Sequence, residues 1–414
     1  MGPWLWFKFY WASWAFLLAV LATMFWVRSK EGGLKARFHL AKHRVARHKL
    51  ASLLALALVV VSGSFIFYNT NVLNAYSTKA DRMAMRAEYE RRYGQYETTT
   101  QPVLARTRLQ VEIYPDEQAA DIRGTYQLVN RSKVVIDSIH LSTIPHVGIT
   151  SVSFDRPASA VVLDNELGYR IYSLKNRLEP GDSVQMSFDV HIKPRGFSNN
   201  DVDVSVVANG SHITSDWMPV IGYQEDRRLH DARDRLTHGL APRPARPSLD
   251  DVAARYDARH AGQMDFDAVV GTTRNQVAVA PGTLRRTWTK GDRQYFQYAA
   301  NAPIHNEYAI FSAKYAVREA QWIPQARRSG QTSTDAIQRA ESIAKPVTIQ
   351  IFYHPAHNAN VERMVKSAQA SLQYYSQEFG PYPYSHFRVL ERPGPGRGMH
   401  AEPMTIDYQE GYSL

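Results

Sequence analysis

Hydrophobic and polar positions fall into three regimes along the chain. Phe9 to Val27 and Leu50 to Tyr68 are two runs of 19 residues, each without a charge. Both approach the ~20 residues that a helix needs to cross the hydrocarbon layer. Trp4, Trp6, Phe7, Phe9, Tyr10 and Trp11 crowd one end of the first run, and Phe65, Phe67 and Tyr68 close the second, as aromatic belts do at a lipid–water boundary. The first run lacks a basic start and an A-x-A-like end, so two spanning helices are expected rather than a signal peptide and a core helix. From about 103 the period becomes two: Leu109, Val111 and Ile113 alternate with polar neighbours, as do Val184, Met186, Phe188, Val190 and Ile192. With shorter strands expected at 134–141, 159–163, 169–173, 264–271, 276–279, 284–289, 294–299 and 308–317, an antiparallel β domain over 103–320 follows.

The third regime is mixed. Val347 to Tyr353 predicts a strand, 358–379 an amphipathic helix with Val361, Met364, Val365, Ala368, Leu372, Tyr375 and Phe379 on one core stripe, and Phe387 to Leu390 another strand,. Gly380-Pro381 stops the helix. This β-α-β stretch, 344–414, is the start of an α/β domain. Too little chain follows Leu390 to complete one, so residues beyond about 391 are expected to be mobile. Between the regimes lie a charged helical stalk within 69–102, a charged surface excursion at 223–262 and a polar linker at 324–343.

Charge changes the picture in one place. The formal net charge is +10, but residues 28–49 hold eight Lys/Arg and one Glu, and 69–414 are left close to neutral. A basic connection between two apolar runs is a cytoplasmic loop under the positive-inside rule, which places residues 69–414 on the opposite face, the periplasm of a bacterium. The lipid bilayer is the partner this implies, and nucleic acid is not one. The chain has no cysteine, which excludes disulfides, thiolate metal sites and cysteine nucleophiles.

Candidate chemistry is sparse. None of the 15 histidines belongs to an H-E-x-x-H, and neither a G-x-x-x-x-G-K-[ST] nor a G-x-S-x-G occurs. His354-Pro355-Ala356-His357 is interrupted by proline, and Gly394-Pro395-Gly396-Arg397-Gly398 is a flexible turn rather than a phosphate loop. His400-Ala401-Glu402 has the look of a deaminase fragment, whose P-C-x-x-C partner is excluded here. No complete catalytic set and no metal site emerge, and His354, His357, His386 and His400 are the first ligands to examine if a metal were found.

Two stretches, Gln377-Glu378-Phe379-Gly380-Pro381-Tyr382-Pro383-Tyr384 and Gly398 to Glu410 (GMHAEPMTIDYQE), resemble the gluzincin aminopeptidases, in which F-G-x-Y-P precedes a G-x-M-E-N substrate-binding loop and a Y-x-E strand end. The resemblance implies a β saddle followed by a thermolysin-like catalytic domain. Over the whole chain the paired spans, Tyr68 to Asn74, Ser205 to Gly210 and Ile221-Gly222-Tyr223-Gln224 resemble a bacterial fusion of an ABC-type permease to a periplasmic aminopeptidase-like domain. That fusion implies an inner-membrane location, with the rest of the permease, an ATPase and a periplasmic peptide or protein as partners. By the same resemblance Met399, Ala401 and Glu402 are the substrate-binding candidates. Aligning Tyr408-Gln409-Glu410 with Y-x-E puts Ala401 at the amine-binding glutamate and leaves Glu402 one position out of register, where it is expected to be a solvated loop charge. The family's zinc motif is expected after Leu414, so zinc is expected only if the domain continues. The expected function is an aminopeptidase-like domain without catalysis of its own. The alternatives are half of a metallopeptidase completed by another chain, or a peptide- or protein-binding module.

Overall fold

The computed structural model describes residues 3–26, 33–145, 148–199, 205–243, 248, 250, 262–324, 346–392 and 398–409. The chain divides into two compact units, residues 1–82 with 194–203, and residues 83–193 with 204–414.

In the first unit, helix α1 (Pro3–Phe25) and helix α2 (Leu34–Phe67) form an antiparallel hairpin. Val20, Met24 and Ala41 form a buried cluster within it, and the Trp6 and Phe65 rings lie 4.2 Å apart near its other end. Both helices are long and apolar enough to cross a membrane by length and composition. The basic segment differs from the expected loop. Residues 34–49 are already helical, because Lys, Arg, Leu and Ala are strong helix formers and no Gly or Pro breaks them from the second apolar run. Arg44 donates to the carbonyls of Thr23, Met24 and Trp26 at 3.2, 3.2 and 2.6 Å, a cation placed where the first helix leaves its carbonyls unpaired. A π-helical turn, Tyr68–Leu73, ends the hairpin. There Asn74 donates to the carbonyls of Arg195 and Phe197, and Gly196 sits at φ +62°, where a Cβ would stand 2.1 Å from Asn69 Oδ1. The asparagine-rich segment therefore fastens a loop.

The second unit is built of four sheets. The largest runs in the order Thr283–Lys290, Arg293–Ala299, Gln263–Thr273, Val103–Tyr114, Ala119–Val129, Ser183–Ile192, Gly148–Phe154. It is antiparallel except where 103–114 and 263–273 run parallel, a pairing that joins the two ends of the β domain across the excursion. Its alternating residues (Leu109, Val111, Ile113, Ile122, Leu128, Met186, Phe188, Val190) pack on the sheet Val220–Ile221, Ile136–Ser142, Tyr169–Leu178, Ala158–Asp164 to form the main core.

Several pieces expected to be solvated are packed instead. Helix α3 (Lys79–Tyr93) buries Tyr89 and Tyr93. Tyr89 stacks on Tyr223 at 5.0 Å and Tyr93 on Tyr169 at 4.2 Å, with the Arg227 guanidinium over the Tyr89 ring. In the excursion, helix α4 (Ala232–Thr237) is capped by Asp231, and the buried Arg235 makes a two-pronged ion pair with Glu90, both contacts 2.8 Å. Arg235 anchors it through this planar, bidentate contact,. The linker expected at 324–343 lies, apart from Pro324, outside the described residues.

The strand expected at 308–317 is two strands. Ala309–Ala313 joins a small sheet with Val277–Val279, Gly210–Thr214 and Val206–Val207, while Ala316–Trp322 pairs with Val347–Tyr353. The second of these belongs to a five-stranded sheet ordered 316–322, 347–353, His386–Arg392, Thr405–Gln409, Met399–Glu402. Helix α5 (Val361–Phe379) covers the 316–322 and 347–353 half of one face through Val361, Val365, Ala368 and Leu372. The other face meets the small sheet through Phe352, Leu390, Val279 and Phe311. Residues 399–409 are thus a paired hairpin rather than an unsupported tail.

Candidate functional site

The hairpin 399–409 sorts its side chains by the strand period. Met399 pairs with Tyr408 and Ala401 with Ile406, while His400 pairs with Asp407 and Glu402 with Thr405. Residues directly opposite share a face, so Met399, Ala401, Ile406 and Tyr408 form one wall and His400, Glu402, Thr405 and Asp407 the other. The three candidates are therefore divided: Met399 and Ala401 face one way and Glu402 the other.

The first face opens beside α5. Its uncovered half forms a groove of about 920 Å³ between Met364, Leu372, Tyr375 and Phe379 of the helix and Phe387, Val389, Met399, Ile406 and Tyr408 of the sheet. Tyr375, Phe379 and Met399 are exposed. Tyr375 and Phe379, expected in the core stripe, line this groove instead, because the helix stripe is longer than the two strands it covers. Among the described residues of the lining Arg363 is the one that is charged.

On the second face Asp407 is fully buried. Its Oδ1 accepts from Arg392 Nε at 2.7 Å, while its Oδ2 and His212 Nε2, neither making a hydrogen bond, meet as an ion pair at 3.6 Å. His212 arrives from strand 210–214, held against the Phe311 ring at 5.1 Å. The Glu402 side chain is 4% exposed, a buried carboxylate rather than the expected solvated charge, with His400 Nδ1 3.6 Å away. One ligand atom each of His212, Glu402 and Asp407 lies within 4.8 Å of the other two. Burial pushes Glu402 above the ordinary carboxylate range, and the Asp407 charge adds to it. Burial acts on Asp407 in the same sense but is outweighed by His212 and Arg392, which hold it below that range. The two carboxyls are thus pushed apart, one disposed to keep a proton and the other to give it up. Such a set can hold a cation or a proton.

The four histidines singled out by the sequence are dispersed. His354 and His357 gather on Glu391, whose carboxylate takes the His354 N–H and His357 Nδ1, both at 2.6 Å. His386 contacts Ser385 and Thr283, with its pKa lowered by burial to about 4. His400 sits between Glu307 and Glu402. The glycine–proline run at 393–397 lies outside the described residues. Sequence reasoning missed His212 and Asp407. For Asp407 a signal existed, a charge between Ile406 and Tyr408 in a β-prone stretch. For His212 there was none, since only tertiary pairing of strand 210–214 with 309–313 carries it to the hairpin.

No protein-family model matches the chain, and no curated protein does. Its structural neighbours include an M1 zinc metallopeptidase from Deinococcus radiodurans, at 14% identity and a TM-score of 0.49 over 75% of this chain and 61% of that one. A mutant M1 zinc metallopeptidase from the same organism, bound to a Tyr-Ser-Ala substrate, aligns at 14% identity and 0.47 over 73% and 59%. A two-domain M1 zinc metallopeptidase mutant bound to L-tryptophan aligns at 13% and 0.48 over 74% and 60%. The chain spans about three fifths of the length of each of these proteins.

Proposed function

We propose that this chain is a membrane-anchored, aminopeptidase-like module of a transporter permease, displayed in the periplasm, which docks an apolar peptide or protein segment without hydrolysing it. The observation that carries this reading is the groove beside α5, an apolar half-face of a mixed sheet with no carboxylate among the described residues of its lining. An aminopeptidase must pair a substrate ammonium with an anion, and Glu402 lies on the other face of the hairpin. The pair of long apolar helices, with the basic segment between and within them, supports the anchor and its orientation,. The permease fusion rests on the sequence resemblance. The same open half-face favours one alternative, a metallopeptidase completed by a second chain seated there.

The test uses the full chain in detergent with a fluorescent apolar decapeptide and a charged control of equal length. Binding of the apolar peptide is expected, weakened about tenfold or more by Phe379→Glu, which costs roughly 1.4 kcal/mol or more. No release of N-terminal residues from aminoacyl substrates is expected. Equal binding of both peptides, or chelator-sensitive cleavage by the chain alone, refutes the reading. Cleavage that appears only with a second periplasmic chain transfers support to the completed metallopeptidase.

A further inference from the structure

We propose that His212, Glu402 and Asp407 form a binding site for a divalent transition-metal ion, zinc in the first place, which clasps strands 210–214, 399–402 and 405–409 together. Three observations converge on it. One ligand atom from each residue lies within 4.8 Å of the others, and in a tetrahedral zinc site, with ligands about 2.0–2.2 Å from the metal, neighbouring ligand atoms stand roughly 3.3 Å apart. His212 and Asp407, at 3.6 Å, are already near that separation, and small side-chain movements bring Glu402 in. Second, the Asp407 side chain is 1% exposed, and its Oδ2 and His212 Nε2, neither within hydrogen-bond distance of any partner, face each other only as an ion pair at 3.6 Å. Buried polar atoms are nearly always satisfied, and leaving a charged one bare costs more than leaving a neutral one. The carboxylate oxygen and the imidazole nitrogen stand at the separation a cation between them would bridge,.

Third, the surroundings are those of a ligand shell. Arg392 takes the other oxygen of Asp407 at 2.7 Å and fixes the carboxylate's orientation, and Phe311 fixes the His212 ring. Such outer contacts orient metal ligands. One imidazole and two carboxylates suit zinc or a neighbouring first-row ion better than calcium, which takes six to eight oxygens. Three protein ligands leave a fourth position for water. The site lies on the opposite face of the sheet from the groove, so it does not depend on the peptide-docking reading and can fail without it.

The test uses the full chain in detergent, stripped with chelator and titrated with Zn²⁺ by calorimetry and metal analysis. About one zinc per chain is expected, with Asp407→Asn or His212→Gln weakening it at least a hundredfold while His354→Gln with His357→Gln leaves it unchanged. X-ray absorption on the zinc-loaded wild type is independent of any variant's folding; it should show a shell of oxygen and nitrogen with a single imidazole. Uptake that is absent, that survives both site variants, or that shows two or more imidazoles overturns the assignment. Saturation by Ca²⁺ at the same concentration overturns the choice of metal class. Peptide binding measured with and without chelator distinguishes the two readings, since loss of zinc is expected to leave the groove able to bind.

Discussion

His140 makes the β domain acid-sensitive, and the size of the effect follows from its surroundings. The residue is 3% exposed on strand 136–142, its Nδ1 2.9 Å from the Tyr169 hydroxyl and its Nε2 3.3 Å from Ser138 Oγ. Burial lowers its pKa from 6.5 to about 4, because a charged imidazole would be poorly solvated there. At neutral pH both the folded and the unfolded chain hold the ring neutral, and the site contributes full stability. As the pH falls through 6.5 the unfolded chain takes up a proton that the folded chain refuses until near 4, so stability is lost across that window. The loss is about 2 kcal/mol by pH 5 and about 3 kcal/mol below pH 4, at 1.36 kcal/mol per unit. That is a large share of a typical total of roughly 5–15 kcal/mol. His386, lowered to about 4 as well, acts in the same direction. Urea unfolding of the full chain in detergent at pH 7, 6 and 5, compared with His140→Gln, isolates the residue. The variant should start lower and fall about 2 kcal/mol less between pH 7 and 5. Parallel curves, or a His140 titration above pH 6 by NMR, would refute the reasoning.

Two further perturbations test other parts of the structure. Because the chain has no cysteine, single thiols report topology cleanly, and Ala41 is buried in the hairpin whereas Lys42 and Ser153 are exposed. Lys42→Cys should resist a membrane-impermeant maleimide in spheroplasts and Ser153→Cys should react; the reverse pattern sinks the orientation. At Gly124 a Cβ would lie 2.0 Å from the Phe188 ring, so Gly124→Ala should cost about 1–3 kcal/mol by overpacking. Phe188→Leu in the same chain should recover much of it, and a urea midpoint unmoved by the alanine would show that the ring yields freely.

Strands were legible where one face is buried and the other wet. Val184 to Ile192 shows that alternation in sequence and in structure. It failed at 308–317, where Ala309–Ala313 is buried on both sides and the next strand begins after only Lys314 and Tyr315. A doubly buried strand has no alternation to mark its end. The partners of charged residues were not legible at all. Arg235 with Glu90, Arg392 with Asp407 and His354 and His357 with Glu391 are set by which strands and helices meet, and long-range pairing leaves no local signature. A run of charges therefore read as solvated face when part of it is an anchor.

The near-miss in the G-x-M motif carries the most consequence because the strand period is two. A carboxylate displaced by one position along a loop would still reach the same ligand, but along a strand a one-residue shift sends it through the sheet. Glu402 thus leaves the groove face and enters the packed face beside Asp407 and His212. That face cannot leave two carboxyls and an imidazole without compensation, since each buried charge needs a partner. Arg392 offsets one charge through Asp407 Oδ1; the rest falls to a proton held on Glu402 or to a bound cation. The same shift therefore puts on the packed face a carboxyl that either keeps its proton or meets a cation.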